Sequence, residues 1–278
     1  MSAPDLTELV ARAQRGDATA VEDVLMAVRD RVYQLALRMT ANRDDALDAT
    51  QEVLVKVLTR LSTYSGEAAF TTWVHRITVN HLLDRKRSAV ERFELTFGTF
   101  ADDLATGLSP VAPDAAPESD LLAREVKHGC TLALLTCLDR EHRVAYILGE
   151  VFGVSSTEGA WICGTTEAAY RKRLSRARAD VRAFVSEHCG LVAPARARCH
   201  CRKRVAAAVA LGRVDPAVAD DATRSEIRAA VAEMETLYDV AGLLRTVPDH
   251  APGEVAARIR SLLGSGRFPL LSPRSPRP

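Results

Sequence analysis

Phe70-Thr71-Thr72-Trp73-Val74-His75-Arg76-Ile77-Thr78-Val79-Asn80-His81-Leu82-Leu83-Asp84-Arg85-Lys86-Arg87 reads as one amphipathic helix. Val74, Ile77 and Leu82, with Trp73 beside them, can face a core at helical spacing. Arg76, Asn80, Arg85 and Arg87 then project on other faces, next to Thr72 and His75. Arginines can hold phosphates, an asparagine can read a base edge, and an aromatic can support an unstacked base. An ordinary amphipathic helix with a core tryptophan and a basic end that suits its dipole fits equally well. Chemistry alone does not separate the two.

Upstream, three more helices are expected. Asp5-Leu6-Thr7-Glu8 opens the first, which Gly16-Asp17 closes. Val21, Val24, Leu25, Val28, Val32 and Leu35 mark the buried stripe of a second, from about Ala18 to Met39. Asn42-Arg43-Asp44-Asp45 caps a third, running to about Leu61. Its polar positions Asp48, Gln51, Glu52 and Lys56 lie between Ala49, Val53, Val57 and Leu58, and include an i,i+4 Glu52–Lys56 pair. Taken alone they read as a solvated face. Four helices with short loops make residues 1–92 a compact first domain.

Downstream the character changes. From Phe93 to Ala123 there are acidic side chains, three prolines (Pro110, Pro113, Pro117) and no Lys or Arg, so residues 93–120 are expected to be a flexible acidic linker. Helical periodicity returns over 121–187. There Gly153 and Gly164 divide a helix-turn-helix pattern, and a long helix begins near Thr166. From Tyr170 to Arg178 that helix carries Arg171, Lys172, Arg173, Arg176 and Arg178 and no acid. A helix placing its N-terminal part in the major groove would use such a sequence.

Residues 188–278 form an extension. It holds a short apolar helix around Val205–Leu211 and a helical hairpin with arms at Ile227–Leu244 and Val255–Leu263. It ends in a tail rich in serine, proline and arginine. The hairpin's apolar faces need cover, and packing against the first or second domain is expected. Cys189, Cys199 and Cys201, with His188 or His200, could supply four tetrahedral ligands to zinc, although the spacing is not a paired CxxC. Reduced, partly buried thiols at a domain junction are the alternative. Cys130, Cys137 and Cys163 read as small core residues.

Composition narrows the classes. The chain has 278 residues, 47% hydrophobic and 5% aromatic, which suits an all-α protein better than a sandwich. Six cysteines in this length are no disulfide framework, and the N-terminus lacks the pattern of a secretory signal. With no apolar run long enough for a bilayer, a cytoplasmic protein without membrane contact is expected. The net charge is +1, so any case for nucleic acid rests on local charge. No phosphate loop, nucleophile elbow or His-Glu-x-x-His pair occurs, which argues against an enzyme.

Asp44 to Leu58 followed by Phe70 to Arg87 resembles domain two of bacterial sigma factors of the extracytoplasmic function (ECF) group. The likeness lies in the acidic-Gln-Glu-Val run and in Trp-Val-x-Arg-Ile-x-x-Asn-x-x-x-Asp-x-x-Arg. Leu138 to Arg178 resembles domain four of the same group, although Gly159 and Tyr170 depart from its usual residues. The resemblance implies two helical domains that bind core RNA polymerase, through its β′ and β subunits, and promoter DNA. By the same resemblance, Asp48, Gln51, Glu52 and Lys56 would face the β′ coiled coil. Trp73, Arg76, Asn80, Arg85 and Arg87 would engage the −10 element, and Arg171, Lys172, Arg173, Arg176 and Arg178 the −35 element. No cofactor would be required, and an anti-sigma factor is a further partner to expect. The rival reading is a stand-alone metal- or redox-responsive helix-turn-helix repressor, which would have no use for a polymerase-facing helix.

Overall fold

A computed structural model describes residues 6–86, 94–109, 117–214 and 253–264. Among these, the secondary structure is helical apart from an isolated bridge between Cys189 and Cys199.

The first unit is α1 (Leu6–Gln14), α2 (Ala18–Thr40), α3 (Arg43–Arg60) and α4 (Phe70–Asp84). Asn42 starts α3 as expected, and Asp17, read as part of the turn that closes α1, also caps α2; their side chains accept from the backbone N–H groups of Asp45 and Ala20. The stripe read on α2 is buried against α1, α3 and α4. Helix α4 stops three residues earlier than its sequence pattern suggests. Arg85 turns extended and sends its guanidinium back to α3, bonding the Asp45 carbonyl at 2.6 Å and the Asp45 carboxylate at 3.1 Å. Arg87 lies outside the described residues, as does Asp5.

The acidic stretch differs most from expectation. It contains α5 (Phe97–Ala105), opened by a reciprocal capping box between Thr96 and Thr99. Phe100 and Leu104 are buried, and Phe97 and Phe100 pack on Phe184 with ring centroids 5.5 and 5.3 Å apart. The apolar stripe Phe97/Phe100/Leu104 outweighs the acidic residues around it, so this part of the 93–120 linker is a docked helix. Helix α6 (Pro117–Thr136) also begins inside the expected linker, with proline at the first position, where its missing N–H costs nothing.

The second unit continues through α7 (Arg140–Tyr146), a π-helical turn (Ile147–Val151), α8 (Ser156–Cys163) and α9 (Glu167–His188). The Ser155/Glu158 capping box starts α8, and Gly164, left-handed at φ 61°, turns the chain into α9. In the extension, α10 (Cys201–Ala210) lies along α6, and α11 (Gly253–Gly264) packs on α2 and α3. The expected first hairpin arm and the C-terminal tail fall outside the described residues.

The two units share a seam. Helix α4 packs on α8, and α2 on α6 and α7. Arg140 donates to the carbonyls of Leu83 (3.1 Å) and Arg85 (2.8 Å), the last groups of α4. Arg143, 3% exposed, donates to the Met39 carbonyl at the end of α2, and to Thr136 (3.2 Å) and Leu138 (2.9 Å). One short helix thus satisfies the terminal acceptors of two others.

Candidate polymerase and DNA surfaces

Asn42 caps α3, so the polar residues of its middle turns face outward as one surface. Asp48 and Glu52 are exposed and Gln51 is half-buried. Lys56 leaves this surface: it does not pair with Glu52 but donates to His81 Nδ1 at 2.7 Å. That bond places the ring proton on Nε2, which faces Glu52 at 3.7 Å. Burial, and then the Lys56 charge, hold His81 below its ordinary pKa.

At the start of α4 three aromatic rings form a platform. Trp73 is half-buried, 5.5 Å from Phe70 and 5.4 Å from Tyr64, whose hydroxyl donates to the Ala68 carbonyl at 2.8 Å. Gln14 secures the loop behind them through the Leu61 and Tyr64 carbonyls, at 3.0 and 2.9 Å. Asn80 stands exposed one face round. Two of the other expected DNA ligands, Arg76 and Arg85, are engaged within the protein. Arg76 lies over the Trp161 ring at 4.5 Å, across the seam on α8, and Arg85 holds Asp45. Beside Arg76, Thr72 donates to Glu158 (3.3 Å) and His75 packs on Phe152 (5.2 Å). The His75 ring is buried with Nε2 unpartnered, and burial lowers its pKa to about 4.

Helix α9 projects its basic row outward. Arg171 and Lys172 are exposed, as is Arg176 one turn on. Arg171 pairs with Glu167 at 2.6 Å within its own helix; Arg173 pairs with Glu141 at 2.6 Å and Arg178 with Glu150 at 2.6 Å. Tyr170 is fully buried, its hydroxyl on the Ala145 carbonyl at 3.2 Å, so the basic row is anchored from beneath.

Among the described residues no group of three or more His, Cys, Asp or Glu side chains is placed to hold a metal ion. His188 packs on Phe184 in a tilted arrangement (4.8 Å) and faces Glu187 (3.8 Å). The Cys189/Cys199 bridge, with Gly190 N–H donating to the Cys199 carbonyl at 2.9 Å, joins the end of α9 to the start of α10. Cys130 joins these thiols from α6, which its sequence position did not suggest. Burial first, and then the neighbouring thiols, raise Cys130, Cys199 and Cys201, the last to about 12. All six cysteines are free.

Sequence reading also missed Arg140 and Arg143 as seam residues. The available signal was Arg140 at the first position of a helix, where a cation opposes the dipole and needs another partner.

Residues 24–92 match the family model Sigma-70 region 2. The chain is 29% identical over 181 residues to the ECF RNA polymerase sigma factor SigE of Mycolicibacterium smegmatis, covering 62% of this chain and 65% of that protein. It is 24% identical over 174 residues to SigW of Bacillus subtilis, covering 62% and 92%. With SigJ of Mycobacterium tuberculosis it shares 34% identity over 159 residues, covering 56% and 48%. Among the described residues no helix is long and apolar enough to cross a membrane. Residues 24–92 thus carry a Sigma-70 region 2 unit, and the chain is similar to ECF RNA polymerase sigma factors over 62% of its length.

Proposed function

We propose that this chain binds core RNA polymerase through the exposed Asp48/Glu52 surface of α3, with Gln51 at its edge, and directs initiation at promoters of its own. The observation that carries the reading is the match of α2–α4 to Sigma-70 region 2, a unit a lone helix-turn-helix repressor would lack. The Tyr64/Phe70/Trp73 platform and Asn80 suit an unstacked −10 base, since every base has a face to stack on. Arg171, Lys172 and Arg176 suit the −35 duplex, where arginine and lysine read guanine edges and hold phosphates.

The described state is closed toward DNA. Arg76 and Thr72 are occupied by Trp161 and Glu158, so engagement of this face of α4 requires α4 and α8 to part. Polymerase makes the phosphodiester bonds, in the cytoplasm; this subunit supplies promoter choice and strand opening. Run-off transcription with core polymerase and a promoter library tests the reading. Tight binding to duplex DNA without polymerase, together with failure to join core enzyme, would overturn it in favour of the repressor.

A further inference from the structure

Asp103, near the end of α5, meets two arginines of the C-terminal extension. Arg213 donates to both carboxylate oxygens, at 2.7 and 2.8 Å. Arg204, itself 4% exposed, donates to the same carboxylate at 3.1 Å, to the Asp103 carbonyl at 2.8 Å and to the Thr106 carbonyl. It therefore caps the C-terminus of α5 as Arg140 and Arg143 cap α4 and α2. Just beyond, Ser109 N–H donates to the Lys203 carbonyl at 3.1 Å. Gly107, at φ 69°, passes so close to α10 that a Cβ there would lie 3.2 Å from the Ala207 methyl. The Arg213 hydrogen bonds hold the Asp103 carboxyl below its usual pKa.

The position of α5 gives these contacts a consequence. It lies in the stretch that joins α4 to α6, so unfolding it would lengthen the tether between the two DNA-binding units. Nine residues held as a helix and then released gain roughly 16 Å of reach, from 1.5 to about 3.3 Å per residue. The other end of the extension is also seated: Val255, Ala256 and Ile259 of α11 are buried on α2 and α3, with Arg260 3.9 Å from Glu22. Helix α3 is the one whose exposed face carries Asp48 and Glu52.

We propose that the C-terminal extension is an intramolecular latch, in which α10 pins the interdomain stretch through Asp103–Arg204–Arg213 while α11 holds domain two. It keeps the two DNA-binding units closed until core polymerase or a further signal releases it. The inference rests on the sigma-factor reading, because the open state it suppresses is the polymerase-bound one. The Arg213 part of the clamp is half exposed, so the latch weakens as salt rises.

The test uses the full-length chain with the pair Asp103→Asn/Arg213→Gln, and separately Ile259→Asp. Two quantities are read: hydrogen exchange of the α5 amides, and affinity for core polymerase. The latch predicts faster exchange over 97–105 in the first variant and tighter core binding in both, by about 5- to 150-fold, the usual range of coupling between sites. Normal α5 exchange in Asp103→Asn/Arg213→Gln would overturn the clamp. Faster exchange with unchanged core affinity would reduce the contact to a structural cross-link and overturn the latch, while the sigma reading stands. If neither wild type nor variants bind core polymerase at any salt concentration, the sigma reading and the latch fall together.

Discussion

The Tyr170 ring fills the space that a side chain at Gly159 would need: a Cβ built on Gly159 would fall 2.2 Å from Tyr170 Cζ. The two departures from the family's usual residues are therefore one exchange of volume between α8 and α9. A large ring on the basic helix α9 is matched by an absent side chain on its neighbour, and the hydroxyl finds the Ala145 carbonyl. Gly159→Ala gains about 1 kcal/mol of helix propensity but overpacks the ring at a cost of about 1–3 kcal/mol, and a net loss of up to about 2 kcal/mol is expected. In a Tyr170→Ala background the same substitution should become neutral or stabilising. Urea denaturation of the four chains of this cycle measures the change of sign; an unchanged sign would separate the two residues.

Acid should weaken the seam through His75. Its folded pKa of about 4 lies below the ordinary 6.5, so the unfolded chain binds the extra proton first. The stability contributed by keeping the ring neutral is complete above about pH 6.5 and is lost as pH falls towards 4, at up to about 1.4 kcal/mol per pH unit. Denaturation midpoints at pH 7 and pH 5 should differ less in His75→Gln than in wild type. Equal pH dependence would assign the loss to other groups.

Arg143 and Arg140 test how the units are held. Arg143→Ala strands the carbonyls of Met39, Thr136 and Leu138 in a buried seam, and unmet buried acceptors cost about 1–3 kcal/mol each. A loss of at least about 2 kcal/mol is expected, with a smaller one for the partly solvated Arg140→Ala. Thermal melts compare them; a milder effect at Arg143 would show that the seam relaxes around it.

The thiols should react slowly. With Cys137 and Cys201 raised to about 12 by burial, about one molecule in ten thousand carries either thiolate at pH 8. Iodoacetamide labelling of the native chain, read by mass spectrometry, should leave both largely unmodified until denaturant is added. Rapid labelling of either would contradict its burial.

The helix-turn-helix was legible because its signals are local. Ser155, Glu158, Gly164 and Thr166 each act within a few residues, and the structure uses all four as caps or turns. The stripe of α2 was legible for the same reason. Helix α5 was not, because Phe97, Phe100 and Leu104 sit among acids and prolines, and only Phe184, some eighty residues on, shows what they cover. For the expected DNA ligands, residue type and spacing were legible but occupancy was not. Asn80 and the Arg171/Lys172 pair face outward as the pattern suggests, whereas Arg76, Arg85, Arg173 and Arg178 hold partners far along the chain or on another helix. Acceptors such as the Met39 and Leu83 carbonyls carry no side-chain signal at all.

Those carbonyl acceptors make the closed form uneven in what it tolerates. Arg140, Arg143 and Arg204 reach main-chain oxygens of Leu83, Arg85, Met39, Thr136, Leu138, Asp103 and Thr106, which every residue type offers alike. The receiving positions are free to change side chain, so far as their own packing allows, without weakening the joints. The three donors are not, since a lysine has no planar fork to reach two or three oxygens at once. The same joints could therefore persist between chains whose interface residues differ widely, which makes them invisible to any comparison that weighs only matched pairs of side chains.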